Sequence, residues 1–242
     1  MTTRPPRDAR SFDRELVIAL AGQLAVLIAL TLTVGVGRAG WLACCALAAV
    51  VGFLLAIGSA SDRAAAAGSA NRVTLARATL IGGVTALVAD ELAGEPGGQV
   101  RIVVLVVLAS VALVLDLVDG FVARRTGTVS ALGARFDMEL DALLILVLSV
   151  LVSRSLGWWV LALGLMRYLF VLAGVLWPRL NEPLPPSRAR KVVAAVQGVV
   201  LVFAAAPFVP RPVAALAVAV ALVTLVWSFG RDLHWLLRRQ PG

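Results

Sequence analysis

Apolar residues along this chain come in long runs of roughly 20 positions, and the polar residues collect between them. That is the length an α-helix needs to cross a hydrocarbon core of about 30 Å, whereas a barrel strand alternates in and out over about 10 residues. The runs predict helices at 16–35, 40–59, 72–88, 101–122, 134–152, 156–177, 192–208 and 213–229. The third is the most polar, because Arg72, Thr74 and Arg77 occupy its first turns. An all-α integral membrane protein of about eight spans is the expected fold class. Arg4, Arg7, Arg10 and Arg14 precede the first run as they would in a signal peptide. That run exceeds the roughly 7–15 residues of a signal's apolar region, and a second span follows at once after Arg38. A retained transmembrane hairpin at 16–59 is therefore expected, behind a basic cytoplasmic segment at 1–15.

Composition agrees: 60% of residues are hydrophobic and 15% charged, with mean hydropathy +0.95, against about 25% charged in a soluble globule. A net charge of +8 and pI near 11.2 would suit a nucleic-acid binder. In a membrane chain the same excess marks loops retained on the cytoplasmic side and contact with anionic lipid, so no nucleic-acid partner is expected. Of 22 basic residues, all but Arg38, Arg101, Arg154, Arg167 and Arg211 fall inside if the N-terminus is cytoplasmic. The 89–99 loop on the other side carries Asp90, Glu91 and Glu95. Both termini are expected inside, and Arg231, Arg238 and Arg239 alternate with Leu233, Trp235 and Leu236 in a 231–242 tail suited to the membrane interface. Cys44 and Cys45 sit together in an apolar run and read as small buried side chains, and His234 is the single histidine. A Cys/His zinc site is thereby excluded. Arginine-rich usage with one lysine, Lys191, suggests a GC-rich bacterial genome and hence the plasma membrane.

Four carboxylates interrupt the apolar pattern. Asp116 and Asp119 are three residues apart, and Asp137 and Asp141 four apart, so each pair shares a helix face. At a bilayer centre each would cost about 2.5–3.5 kcal/mol. Asp119 lies roughly 7 Å and Asp116 roughly 12 Å from Arg124, while Asp137 and Asp141 lie at similar depths from Gly133. Antiparallel neighbours would bring the four together just inside the cytoplasmic boundary. Hard oxygen donors with open positions suit Mg²⁺ or Mn²⁺, which substrate phosphates commonly complete. Gly120, Ala123 and Gly133 allow a ligand near the backbone, or simply close helix packing; Arg124 can fork onto a phosphate.

The string Asp116-x2-Asp119-Gly120-x2-Ala123-Arg124-x8-Gly133-x3-Asp137-x3-Asp141 matches the D-x2-D-G-x2-A-R-x8-G-x3-D-x3-D signature of the CDP-alcohol phosphotransferase family at every fixed position. Upstream, Asn71-x2-Thr74-x2-Arg77 resembles the opening of that family's first core helix. Downstream, Ser187-Arg-Ala-Arg-Lys191 with Gln197 resembles the start of its fifth. The resemblance covers about 70–230 and implies a six-helix core, preceded here by two extra N-terminal transmembrane helices. It implies displacement of CMP from a CDP-linked donor, usually CDP-diacylglycerol, by an alcohol, as in phospholipid biosynthesis. By position, Asp116, Asp119, Asp137 and Asp141 would hold a pair of Mg²⁺ or Mn²⁺ ions, with Asp141 also the general base on the acceptor hydroxyl. Gly120, Ala123, Arg124, Gly133 and Thr74 would line the CDP pocket. The resemblance further suggests a homodimer.

Arg167 is the sole charge in 156–177, roughly 15 Å from its inner end. It would either hold an acceptor phosphate, as in glycerol-3-phosphate or inositol phosphate, or pair with an aspartate. Arg188, Arg190 and Lys191 would serve the same acceptor, or only obey the positive-inside rule. Phosphatidylglycerol and serine are further acceptor candidates. The rival reading is a transporter or proton relay; it requires carboxylates spread across the bilayer depth, whereas these cluster at one side and the outer halves of the runs carry none.

Overall fold

A computed structural model describes residues 9–56, 69–95, 97–126, 131–177 and 188–238. Among the described residues every regular element is a helix: α1 (Ala9–Thr33), α2 (Arg38–Ala56), α3 (Ser69–Leu92), α4 (Gly98–Thr126), α5 (Ala131–Leu156), a 3₁₀ turn (Trp158–Val160), α6 (Leu161–Leu176), α7 (Arg188–Ala205) and α8 (Arg211–Arg238). Among the described residues, four stretches are long and apolar enough to cross a membrane: Val73–Leu92, Gly98–Leu117, Trp158–Leu176 and Arg211–Arg231. On α4, Val103, Val107, Val111 and Val114 form an exposed stripe, while Leu105, Ala109 and Ala112 on the other side are fully buried. Both faces are equally apolar, as expected when the surrounding solvent is lipid. Exposed Trp158 and Trp177 bracket the α6 span, the usual place for interfacial aromatics. The architecture is that of an all-α membrane protein.

Two compact units divide the chain, Met1–Asp141 and Ala142–Gly242. In the first, α3 packs against α1, α2 and α4. It is the least hydrophobic of the four long stretches, and its neighbours shield the polar residues it carries. Gly83 lets them close in: a Cβ there would lie 3.2 Å from Leu30, 3.4 Å from Val26 and 3.5 Å from Leu108. Hydroxyls on Thr79 and Thr85 donate to carbonyls four residues back, at 3.1 and 2.8 Å, so they bury no unpaired donor.

The carboxyl-terminal end of α3 carries a polar lock. Gly94 takes φ +79°, and the amide of Glu95 donates to Asp90 O while that of Gly94 donates to Glu91 O, a left-handed helix stop that favours glycine. Asp90, placed by sequence in an outer loop, is instead fully buried in the last turn of α3. Its carboxylate accepts from the amides of Gly37 at 2.8 Å and Gly40 at 2.6 Å, capping α2 from a different helix. Gly40 has to be glycine there, since a Cβ would stand 2.6 Å from Val36 and 2.8 Å from Ala86 O. Arg101, also buried, donates to Gly35 O and Glu95 O. The N-terminal hairpin is thus fastened to α3 and α4, which gives the extension a structural role that its sequence does not disclose.

In the second unit α7 lies along α8, and Phe170 on α6 meets Phe229 on α8 edge-on at 5.3 Å. The α8 helix continues through the basic tail to Arg238 without a break. Residues 146–149 of α5 touch α6 at Gly164, where a Cβ would fall 2.6 Å from Leu146 Cα and 3.0 Å from Ser149 Oγ. Backbone cannot move aside cheaply, so Gly164→Ala is expected to cost about 1–3 kcal/mol and lower the detergent-solubilised melting temperature. An unchanged melting temperature would show that the two helices are not held this close.

Candidate active site

Three helices deliver the site. α4 presents Asp116 near its carboxyl-terminal end, α5 presents Asp137 and Asp141 one turn apart, and α3 contributes Arg77. Oxygens of Asp116, Asp137 and Asp141 lie within 4.8 Å of one another. Their side chains remain 30, 34 and 37% exposed, whereas Arg77 beneath them is completely buried. One guanidinium nitrogen of Arg77 stands 3.0 Å from Asp116 Oδ1 and also bonds Asp137; the other terminal nitrogen bonds Asp141. Its Nε donates to Ala112 O at 3.3 Å, one helical turn before Asp116. Carboxylates form the rim of this site and a cation forms its floor.

The chemistry of the donor set fits a hard divalent cation. Ligands around Mg²⁺ or Mn²⁺ sit about 2.0–2.2 Å from the ion, so oxygens within 4.8 Å of each other are close to what one ion spans. Among the described side chains three carboxylates face one guanidinium, so the cluster keeps net negative charge for a cation to offset. The position already accommodates positive charge, for which the guanidinium is the present occupant.

Other sequence-identified residues fall as follows. Thr74 is buried on α3, three residues before Arg77 and on the same face. Asp119, Gly120, Ala123 and Arg124 lie on the last turns of α4, and Gly133 in the first turn of α5; their side chains are outside those described. Arg167 is half-buried on α6, in the second unit, and Arg188, Arg190 and Lys191 open α7, their side chains likewise undescribed. Sequence reasoning missed Arg77 as a site residue and counted it among the cytoplasmic cations. The signal was there: a single arginine three residues beyond Thr74 in a span that is apolar to Val88 needs a partner in the protein.

Comparison with known families gives one match, to the model described as CDP-alcohol phosphatidyltransferase, over residues 67–227. No curated protein and no solved structure matches the chain. The matched region begins just before α3, leaves the α1–α2 hairpin outside, and covers the whole carboxylate cluster. Spanning well over half of the 242 residues, it establishes that this chain belongs to the CDP-alcohol phosphatidyltransferase family of membrane transferases.

Proposed function

We propose that the protein transfers a phosphatidyl group from CDP-diacylglycerol to an alcohol, releasing CMP. The observation that carries this reading is the convergence of Asp116, Asp137 and Asp141 from two helices into one oxygen-lined cluster with an exposed rim. Asp119 lies one turn from Asp116 and is assigned as the fourth ligand of the Mg²⁺ or Mn²⁺ site. Bound divalent metal would neutralise the donor pyrophosphate and the departing CMP.

The chain's residues supply positioning and the proton acceptor. Asp141 takes the acceptor hydroxyl proton; the freed oxygen bonds the phosphatidyl phosphorus, and the bond from that phosphorus to the bridging oxygen breaks, leaving CMP with the electron pair. Thr74, Gly120, Ala123, Arg124 and Gly133 are assigned to the CDP moiety, where small residues admit the nucleotide and Arg124 meets phosphate. With the termini and the carboxylate end cytoplasmic, a soluble head group would reach the site from the cytosol while the lipid stays in the bilayer.

Arg167, Arg188, Arg190 and Lys191 are assigned to an acceptor that itself carries phosphate, such as glycerol-3-phosphate, an inositol phosphate or phosphatidylglycerol. Removing a charged hydrogen bond costs about 1.5–3 kcal/mol. Arg167→Ala should therefore raise the acceptor KM about tenfold or more while the KM for CDP-lipid holds; an unchanged acceptor KM removes Arg167 from that pocket. Proteoliposomes separate the enzyme from a transporter that uses the same carboxylates. Lipid product without ion flux is the expected outcome, and metal-dependent flux without CMP would overturn the proposal.

A further inference from the structure

Arg77 has more partners than a helix-packing arginine needs. Its guanidinium is fully buried, touches three carboxylates from α4 and α5, and is anchored through Nε to the α4 backbone. Burying such a charge is tolerated only with close counter-charges. The converse holds too: three carboxylates whose oxygens lie within 4.8 Å repel one another strongly at the low dielectric of a membrane interior. Each group is therefore the condition for the other. Arg77 sits in the same cluster of oxygens that a divalent ion would use, and its terminal nitrogens take an oxygen from each of Asp116, Asp137 and Asp141.

We propose that Arg77 is the built-in counter-cation of this site: it offsets part of the negative charge of Asp116, Asp137 and Asp141 in the metal-free protein and competes for them with the divalent cation. The inference rests on the metal-site reading above. It gives the acidic cluster a way to fold and insert without metal, and it makes metal loading weaker than four carboxylates alone would make it. Fastening α3 to the α1–α2 hairpin through Asp90 and to α4 through Ala112 holds the guanidinium where the carboxylates converge.

The test compares full-length wild type, Arg77→Met and Arg77→Lys in detergent after chelation, by thermal unfolding with and without Mn²⁺ and by Mn²⁺ binding followed by electron paramagnetic resonance. Chelated wild type is expected to keep a cooperative unfolding transition. Arg77→Met, similar in length but uncharged, should melt lower without metal, recover most of the loss with Mn²⁺, and bind Mn²⁺ about tenfold or more tightly. Arg77→Lys restores the charge without the fork and should fall between the two. Equal losses for Arg77→Met with and without Mn²⁺, or equal Mn²⁺ affinity, would reduce Arg77 to a packing residue and overturn the proposal. Loss of the wild-type transition on chelation would overturn it without reference to any variant. Absence of Mn²⁺ binding in both wild type and Arg77→Met would instead bring down the metal-site reading on which it stands.

Discussion

Asp141→Asn should lower CMP release from CDP-diacylglycerol by about 10²–10⁴-fold, the range for losing a positioned general base, while CDP-lipid binding stays within a few-fold of wild type. Asp141 occupies the third turn of α5, one turn beyond Asp137, with its carboxylate partly exposed at the rim and partly held by Arg77. An exposed oxygen is what a base needs to reach an acceptor hydroxyl, and a held one is what keeps it aimed. The amide keeps the shape and one acceptor oxygen but cannot take up the proton. Asp116 and Asp137 still face Arg77 in this variant, so the fold should survive. The paired measurement is CMP formation against equilibrium binding of CDP-lipid. If binding disappears from a normally folded Asp141→Asn protein, Asp141 is a binding group and the base lies elsewhere.

Asp90→Ala should cost about 3–6 kcal/mol, because two charge-assisted hydrogen bonds at about 1.5–3 kcal/mol each are lost. The amides of Gly37 and Gly40 would then be left at a buried helix start with no acceptor. Few single changes far from the carboxylate cluster have as large an expected effect. The hairpin should loosen from α3 before the rest unfolds. Cys44 reports this, being buried and bonded by Gln23 Nε2 at 3.0 Å. In a Cys45→Ser background, maleimide labelling of Cys44 should be faster in Asp90→Ala than in the parent. Equal labelling rates with an unchanged melting temperature would mean that the cap does not hold the hairpin.

Most of the helices are legible from apolar run length alone, since each run has to find either lipid or a neighbouring helix. Asp116, Asp137 and Asp141 are legible too: their three- and four-residue spacings and matched depths require them to meet once α4 and α5 are adjacent. Arg77 escapes that logic because an arginine near the start of a span is what the positive-inside rule produces anyway. Its position one turn into the apolar part of α3, and its place at the end of the Asn71-x2-Thr74-x2-Arg77 string, are what distinguish it. Asp90 is illegible for another reason. A cap supplied from 50 residues away depends on how α2 docks against α3, and no local pattern encodes that docking. Gly164 resembles any other glycine in an apolar run until Leu146 is found against it. The end of α4 extends past the predicted boundary to Thr126, because Arg124 and Arg125 mark where lipid ends and not where helical hydrogen bonding must stop.

Phosphatidyl transfer is read out by CMP release from CDP-diacylglycerol by the purified protein, with Mg²⁺ or Mn²⁺, across a panel of glycerol-3-phosphate, inositol phosphate, phosphatidylglycerol and serine. Release that requires both the metal and one of these alcohols is the expected result, and it names the product at the same time. Folded protein that neither binds CDP-diacylglycerol nor forms CMP with any of them would rule out phosphatidyl transfer.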